Sequence, residues 1–215
     1  MENPGYKIDI AVNIALWADK LRDNSAMGLL FSENNYDRTR YRAIQDIAME
    51  MVALATGEDV DDLEPLRSTF FSRPTPLTVG DAAVIDTSGH ILLMQRTDDQ
   101  KWAMPGGALE VGETPAAGVV REVLEETGLH CEVTALVGIF DSRLWGFVSR
   151  NHLYAFTFLC RPLDGVQPHY QSIETIDIGW FTEDALPEAM HPGHRSRIPA
   201  AFRTWRGDQR AYFDS

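Results

Sequence analysis

The stretch Gly106–Leu129, GGALEVGETPAAGVVREVLEETGL, constrains this chain more than any other. Thr114 is a good helix N-cap, and Pro115 in the first helical position has a suitable φ and no N–H to waste. Gly128 suits the left-handed residue that ends a helix. The segment predicts a helix of about 13 residues, bounded at both ends. Within it Ala116, Val120, Val123 and Thr127 recur at helical spacing and predict the buried stripe. Glu122, Glu125 and Glu126 stand at i, i+3 and i+4 and predict a separate acidic face. Neighbouring carboxylates on a helix repel by roughly a few tenths of a kcal/mol per pair. Divalent cations reverse that sign, and Mg²⁺ favours carboxylate oxygens, keeps waters and shares its shell with substrate phosphate. Just upstream, Gly106 and Gly107 let the backbone approach a ligand and offer a carbonyl. Arg121 stands beside the acidic face and can hold one carboxylate in place. Three glutamates alone fit a solvated helix face better, the usual fate of a charge run, so the wider spacing must decide.

Residues 1 to about 70 read helical. Ile10, Ile14, Trp17 and Leu21 keep helical spacing, as do Tyr41, Ile44, Ile47 and Met51 after the capping run Asn34-Asn35-Tyr36-Asp37, with Gly57 as the stop. A third run covers Val60 to Phe70, with acids at its start and Pro65 either breaking it or in its first turn. Ser72-Arg73-Pro74-Thr75-Pro76 reads as a linker. These features predict a helical domain over 1–72 and a second domain over 77–215. In the second, strands are expected over Val79–Ile85, Ile91–Gln95, Val133–Phe140, His152–Cys160 and Ile176–Phe181, and a last helix over Ile198–Trp205. Strands interleaved with few helices indicate a mixed α/β or α+β domain.

Composition narrows the partners. The formal net charge of −13 repels a polyphosphate backbone, which disfavours nucleic acid. An anionic substrate then needs a local device, either bound cations or a few focused arginines. The longest apolar runs fall far short of the roughly 18 residues a membrane span needs. With Cys131 and Cys160 alone there is no disulfide framework and no zinc spacing, which fits a reducing cytoplasm. The opening residues carry neither a basic nor an apolar region of a signal peptide.

Gly107, Glu113, Arg121, Glu122, Val123, Glu125, Glu126, Gly128 and Leu129 fit the pattern G-x5-E-x7-R-E-U-x-E-E-x-G-U, with U a bulky aliphatic. This resembles the Nudix box without a departure. Arg96, Trp102 and Pro105-Gly106-Gly107 resemble the family's lead-in, and Ser172-Ile173-Glu174-Thr175, Trp180-Phe181 and Ala185-Leu186-Pro187 its later segment. Trp17, Leu21, Gly28-Leu29, Phe31, Tyr36-Asp37 and Arg40-Tyr41 resemble a subgroup with an N-terminal helical domain, which includes a CDP-choline pyrophosphatase.

The resemblance implies an α/β/α sandwich around a mixed sheet, preceded by a small all-helical domain. It implies a pyrophosphohydrolase acting on nucleoside diphosphates linked to a moiety X, with CDP-choline or ADP-ribose-like substrates first. Oxidised dNTPs and RNA 5′ ends follow, and a non-hydrolysing nucleotide sensor is the rival class. It implies Mg²⁺ or Mn²⁺ held by Glu122, Glu126 and the Gly106 carbonyl, with Glu125 a ligand or a carboxylate that tunes bound water. Glu113 pairs with Arg121, and Gly107 and Gly128 shape the box. Glu174 is the candidate base, with Glu122 its competitor. Arg96, Trp145, His152 and Tyr154 are expected to contact substrate; Trp145 either stacks on a base or packs. His169, His191 and His194 have no partner spacing, and the arginines 195, 197, 203, 206 and 210 read as a solvated helix face or as partners of the acidic remainder. The helical domain is thin for ~70 residues, so its aromatic stripe reads as core or as the surface of a homodimer.

Overall fold

A computed structural model describes residues 10–72, 77–142, 144–145, 153–163 and 173–215. The chain divides into two compact units, Met1–Thr75 with Glu110–Gly112, and Pro76–Leu109 with Glu113–Ser215.

The first unit is helical. Helix α1 spans Ile10–Phe31 and α2 spans Asn35–Thr56. The Asn34 side chain accepts from the Asp37 N–H to start α2, and Gly57, at φ 78°, ends it by donating to the Ala53 carbonyl. The third expected run is broken: α3 covers only Val60–Leu63, and beyond Pro65 the chain makes a π-helical turn over Arg67–Phe71. Proline clashes with the preceding turn and removes a donor, which explains the stop. Ala48, Met49, Ala53, Leu63 and Phe71 form the small core, with Leu21 and Val52 packed against it. Trp17, Phe31 and Tyr36 of the aromatic stripe are exposed rather than part of that core.

The second unit holds eight strands among the described residues. Strands β1 (Leu77–Val84), β2 (Ile91–Arg96), β3 (Trp102–Ala103) and β4 (Gly106–Ala108) precede helix α4 (Pro115–Thr127). Then come β5 (Cys131–Asp141), β6 (Leu153–Pro162), β7 (Thr175–Phe181), helices α5 (Pro192–Arg195) and α6 (Ile198–Trp205), and β8 (Tyr212–Phe213). A mixed five-stranded sheet runs β4-β1-β6-β5-β8, and a three-stranded sheet runs β3-β2-β7. β1 pairs with β6 in parallel and with β4 antiparallel; β5 and β6 are antiparallel. Alternation along the strands builds two cores. Ala82, Val84 and Leu92 pack with Val119 and Val123 of α4. Their neighbours Ala83, Ile85, Ile91 and Leu93 pack with Ile198, Ala201 and Phe202 of α6. Sheets covered by helices on both faces are the α/β/α sandwich that the family resemblance implied.

Helix α4 has the expected bounds and caps. The Thr114 hydroxyl accepts from the Ala117 N–H, and Gly128, at φ 64°, donates to the Leu124 carbonyl. The stripe differs. Gly118, Val119, Val123, Glu126 and Thr127 are buried, whereas Ala116 and Val120 are only partly so. The helix is rotated because it rests on Gly80 of β1, where an added Cβ would stand 2.5 Å from Val119. That rotation draws Glu126 out of the expected acidic face and into the protein.

Candidate active site

The three glutamates of α4 have separate environments. Glu125 is exposed, with 58% of its side chain accessible, whereas Glu122 retains 14%. Glu126 is buried, and its Oε2 accepts a 2.8 Å hydrogen bond from the Gly106 N–H. Burial, with Glu122 and Glu174 close enough to repel it, pushes the Glu126 carboxyl up to about 8. Burial also raises Glu122, against the pull of Arg121. Desolvation disfavours a charged carboxylate, so both side chains are primed to gain from a cation.

Arg121 organises the cluster. Its guanidinium grips both oxygens of Glu113, at 2.9 and 3.2 Å, and donates to Glu122 at 2.9 Å and Glu125 at 3.2 Å. A fixed planar fork suits this task better than a flexible ammonium. The glycines admit the carboxylates: a Cβ on Gly107 would lie 2.7 Å from Glu122 Oε1, and one on Gly118 2.5 Å from Glu113 Oε1.

A groove of about 410 Å³ opens beside this cluster, lined by Glu126, Glu174, Arg96, Gly106 and Gly107 with Met94, Thr97 and Asp98. The turn that carries Glu174 is stitched in place twice. The Glu174 carbonyl accepts from the Thr97 N–H at 3.0 Å, and the buried Thr175 hydroxyl donates to the Glu126 carbonyl at 3.1 Å. Arg96 is oriented by Asp98 through two hydrogen bonds, of 2.9 and 2.5 Å, which hold Asp98 down at about 2.

Beyond the Gly106-Gly107 edge lies a second recess, a cavity of about 190 Å³ that shares Arg96, Gly106 and Gly107 with the groove. Asp81, Phe140, Ser142, Trp145, His194 and Arg197 contribute to its wall. Arg197 is buried: it forms an ion pair with buried Asp81, donates to the Gly193 carbonyl at 2.7 Å and reaches the Thr157 hydroxyl at 3.3 Å. The solvated-face reading therefore fails for Arg197, because the turn between α5 and α6 aims it inward, although pairing with an acid holds. His194 is buried too; its Nδ1 accepts from the Met104 N–H at 3.3 Å, and burial lowers its pKa well below that of free histidine.

The structure thus brings Gly106, Gly107, Glu126, Glu174 and Arg96 to one groove, with Glu122, Glu125, Glu113 and Arg121 in the adjoining ionic cluster. Gly128 caps α4, and Trp145 lines the cavity. Tyr154 is placed differently. Leu153 and Ala155 line the cavity, so alternation along β6 turns Tyr154 to the opposite face, and it does not line either recess. His152, His169 and Ser172 lie outside the described residues. Asp81, Phe140, His194 and Arg197 were missed as site residues because no local pattern links them. The nearest signal was the Arg197 charge itself.

The donor set fits a hard divalent cation. Glu122 and Glu126 offer only oxygen, both are raised by burial, and Gly107 leaves room beside Glu122. Among the described residues no three Asp, Glu, His or Cys side chains form a ready cage. A cation here would complete its shell with water and substrate oxygens.

Comparison with known proteins fits this arrangement. Residues 74–201 match the NUDIX domain, and residues 13–66 match the UDP-X-like, N-terminal oligomerisation domain. The Bacillus subtilis (strain 168) protein YjhB, provisionally named an ADP-ribose pyrophosphatase, is 33% identical over 79% of this chain and 81% of its own. A MutT-like protein of Streptomyces ambofaciens is 39% identical over 54% of this chain and 70% of its own. A crystal structure of a UDP-X diphosphatase superposes with a TM-score of 0.60 at 25% identity, covering 95% of this chain and 99% of that one. An ADP-ribose pyrophosphatase from Streptococcus suis 89-1591 gives 0.57 at 29% identity, covering 65% of this chain and all of that one. The NUDIX match spans more than half of the 215 residues, and the unbroken box, the sandwich and the carboxylate groove all lie within one domain. The chain therefore belongs to the NUDIX family and is a Nudix hydrolase.

Proposed function

We propose that the chain hydrolyses the pyrophosphate bond of a nucleoside diphosphate linked to a second moiety, with Mg²⁺ or Mn²⁺ held by Glu122 and Glu126. The observation that carries this reading is the pair of adjoining recesses: an acidic groove and an aromatic-walled cavity that share Arg96 and the Gly106-Gly107 edge. The groove suits a pyrophosphate and the cavity a base. Relatives named for ADP-ribose and UDP-X give the same substrate class.

Each residue then has a task. Arg96, already oriented by Asp98, faces the groove and offers its charge to a phosphate oxygen. Arg121 fixes Glu122 and Glu125, so the carboxylates do not have to reorganise during reaction. Glu174 on its stitched turn positions the attacking water and takes its proton, with Glu122 the competing base. When bound, the divalent cations neutralise the negative charge of the transferring phosphoryl group and lower the pKa of water. Glu125 stays at the solvent edge of the cluster, and Gly106 meets Glu126 through its N–H while leaving its carbonyl a candidate ligand. The helical unit, with exposed Trp17, Phe31 and Tyr36, supports a homodimer.

The test is phosphate release, coupled to a phosphatase, from ADP-ribose, UDP-glucose, CDP-choline, 8-oxo-dGTP and triphosphorylated RNA, with Mg²⁺ and Mn²⁺ separately. The expected result is strong turnover of one of the three linked diphosphates. Silence on every substrate from folded protein would replace this reading with the nucleotide sensor, and preference for 8-oxo-dGTP or RNA would replace the substrate class.

A further inference from the structure

The wall of the cavity is finished by a part of the chain far from the box. Trp145 meets Phe140 edge-to-face, with centroids 5.1 Å apart, and meets Tyr212 in the same way at 5.3 Å. Phe140 and Tyr212 are themselves stacked at 4.9 Å and 12°. Asp214 locks the trio. One of its oxygens accepts from the Trp145 indole N–H at 2.8 Å and from the Tyr212 hydroxyl at 3.0 Å. The other accepts from the Asp141 backbone N–H at 2.6 Å.

The strand that carries Tyr212 has its own seat. β8 pairs in parallel with β5, Gly138 opposite Tyr212 and Ile139 opposite Phe213. A Cβ on Gly138 would stand 2.6 Å from the Tyr212 carbonyl, so this pairing requires glycine there. Ladder, aromatic packing and carboxylate converge on one indole. Because Asp214 takes the indole N–H, Trp145 presents the cavity with an apolar ring and no donor.

We infer that β8 and Asp214 fix Trp145 as the stacking wall for the substrate's base, which makes Tyr212 and Asp214 positioning residues for base recognition. This rests on the proposed reading of the site. A wall without a donor gives affinity common to all bases, since each has a π face, and leaves the choice among them to the other groups of the cavity.

The test is calorimetric binding of ADP, UDP and inorganic pyrophosphate to the full chain and to Asp214→Ala, Tyr212→Phe and Trp145→Ala. Asp214→Ala should weaken both nucleotides roughly five- to tenfold and leave pyrophosphate unchanged. Tyr212→Phe should act in the same direction by a smaller factor, and it keeps the test open if Asp214→Ala does not fold. Adding Asp214→Ala to Trp145→Ala should cost nothing further, because both act through one indole. On the best substrate Asp214→Ala should raise KM by the same factor with kcat within threefold. Equal weakening of nucleotide and pyrophosphate, or nucleotide affinity indifferent to Asp214 and Trp145 in folded protein, would overturn the inference. The two readings fail separately: Trp145-dependent ADP binding without any turnover would sink the hydrolysis, whereas turnover with Trp145-independent binding would sink the wall.

Discussion

The groove and the cavity meet at Gly106-Gly107, yet they are built on opposite principles. The groove takes Glu126 from α4, Arg96 from the end of β2, Asp98 from the turn after it and Glu174 from the turn before β7, with Glu122 and Arg121 of α4 alongside. The cavity draws Asp81 from β1, Phe140 from β5, Arg197 from the turn before α6 and Trp145 from beyond β5. The groove holds buried acid without a full complement of positive charge, and its Glu126 is pushed up to about 8. The cavity buries a matched pair, Arg197 with Asp81. A site kept for a cation sacrifices stability in its absence, whereas one kept for a neutral ring can be internally balanced.

The largest expected effect comes from unbalancing the cavity. Arg197→Met leaves buried Asp81 with only His194, at 3.9 Å and disfavoured in its charged form by burial, which should cost about 3–5 kcal/mol in denaturant unfolding. Replacing both partners, Asp81→Asn with Arg197→Met, should recover much of that loss. Equal loss in the single and double variants would show that the pair is not what holds this wall.

Glu126→Gln should do the reverse in the groove. Turnover falls roughly a hundred- to a thousandfold, while the metal-free protein gains about 1–3 kcal/mol at pH 7, because folding no longer has to protonate a carboxylate that is ionised in the unfolded chain. Unchanged metal-free stability would contradict the view that Glu126 sits in a strained, cation-ready environment.

The two regions also oppose each other in pH. Glu126 has its pKa raised from 4.5 to about 8, so the folded state binds the extra proton and stability is lost as pH rises through that range. His194 is lowered well below 6.5, so the unfolded state binds the extra proton and stability is lost as pH falls below 6.5. Between pH 6.5 and 5 the two slopes cancel in the metal-free protein. The Glu126→Gln variant should therefore lose about 1–2 kcal/mol between pH 7 and 5, and His194→Gln should gain stability over the same interval. Parallel pH profiles for both variants would refute the assignment.

The same contrast explains what could be read from the chain. Thr114, Pro115 and Gly128 set the bounds of α4 by local chemistry, and the spacing of Gly107, Glu113, Arg121 and the three glutamates was complete within 24 residues. Five of the eight strands among the described residues were visible, with ends misplaced by a residue or two, whereas the short β3, β4 and β8 left no pattern to read. What local spacing did not show was the rotation of α4. It depends on Gly80, thirty-nine positions before Val119, and it decides that Glu126 is buried while Glu125 is exposed. The cavity was hidden for the same reason. Asp81 finds Arg197 across 116 positions and Trp145 finds Asp214 across 69, and neither pair leaves a periodic trace. Tyr154, singled out by a family pattern, stands by strand parity on the face of β6 opposite Leu153 and Ala155 of the cavity wall.

The most direct test of this division is a kcat and KM determination on the best linked diphosphate for Glu122→Gln and Trp145→Ala side by side. Glu122→Gln should lose its activity through kcat, roughly a hundredfold or more, with KM near that of the parent, and Trp145→Ala should lose its activity through KM. A Glu122→Gln enzyme with kcat within tenfold of the parent, or a Trp145→Ala enzyme impaired in kcat alone, would contradict that division.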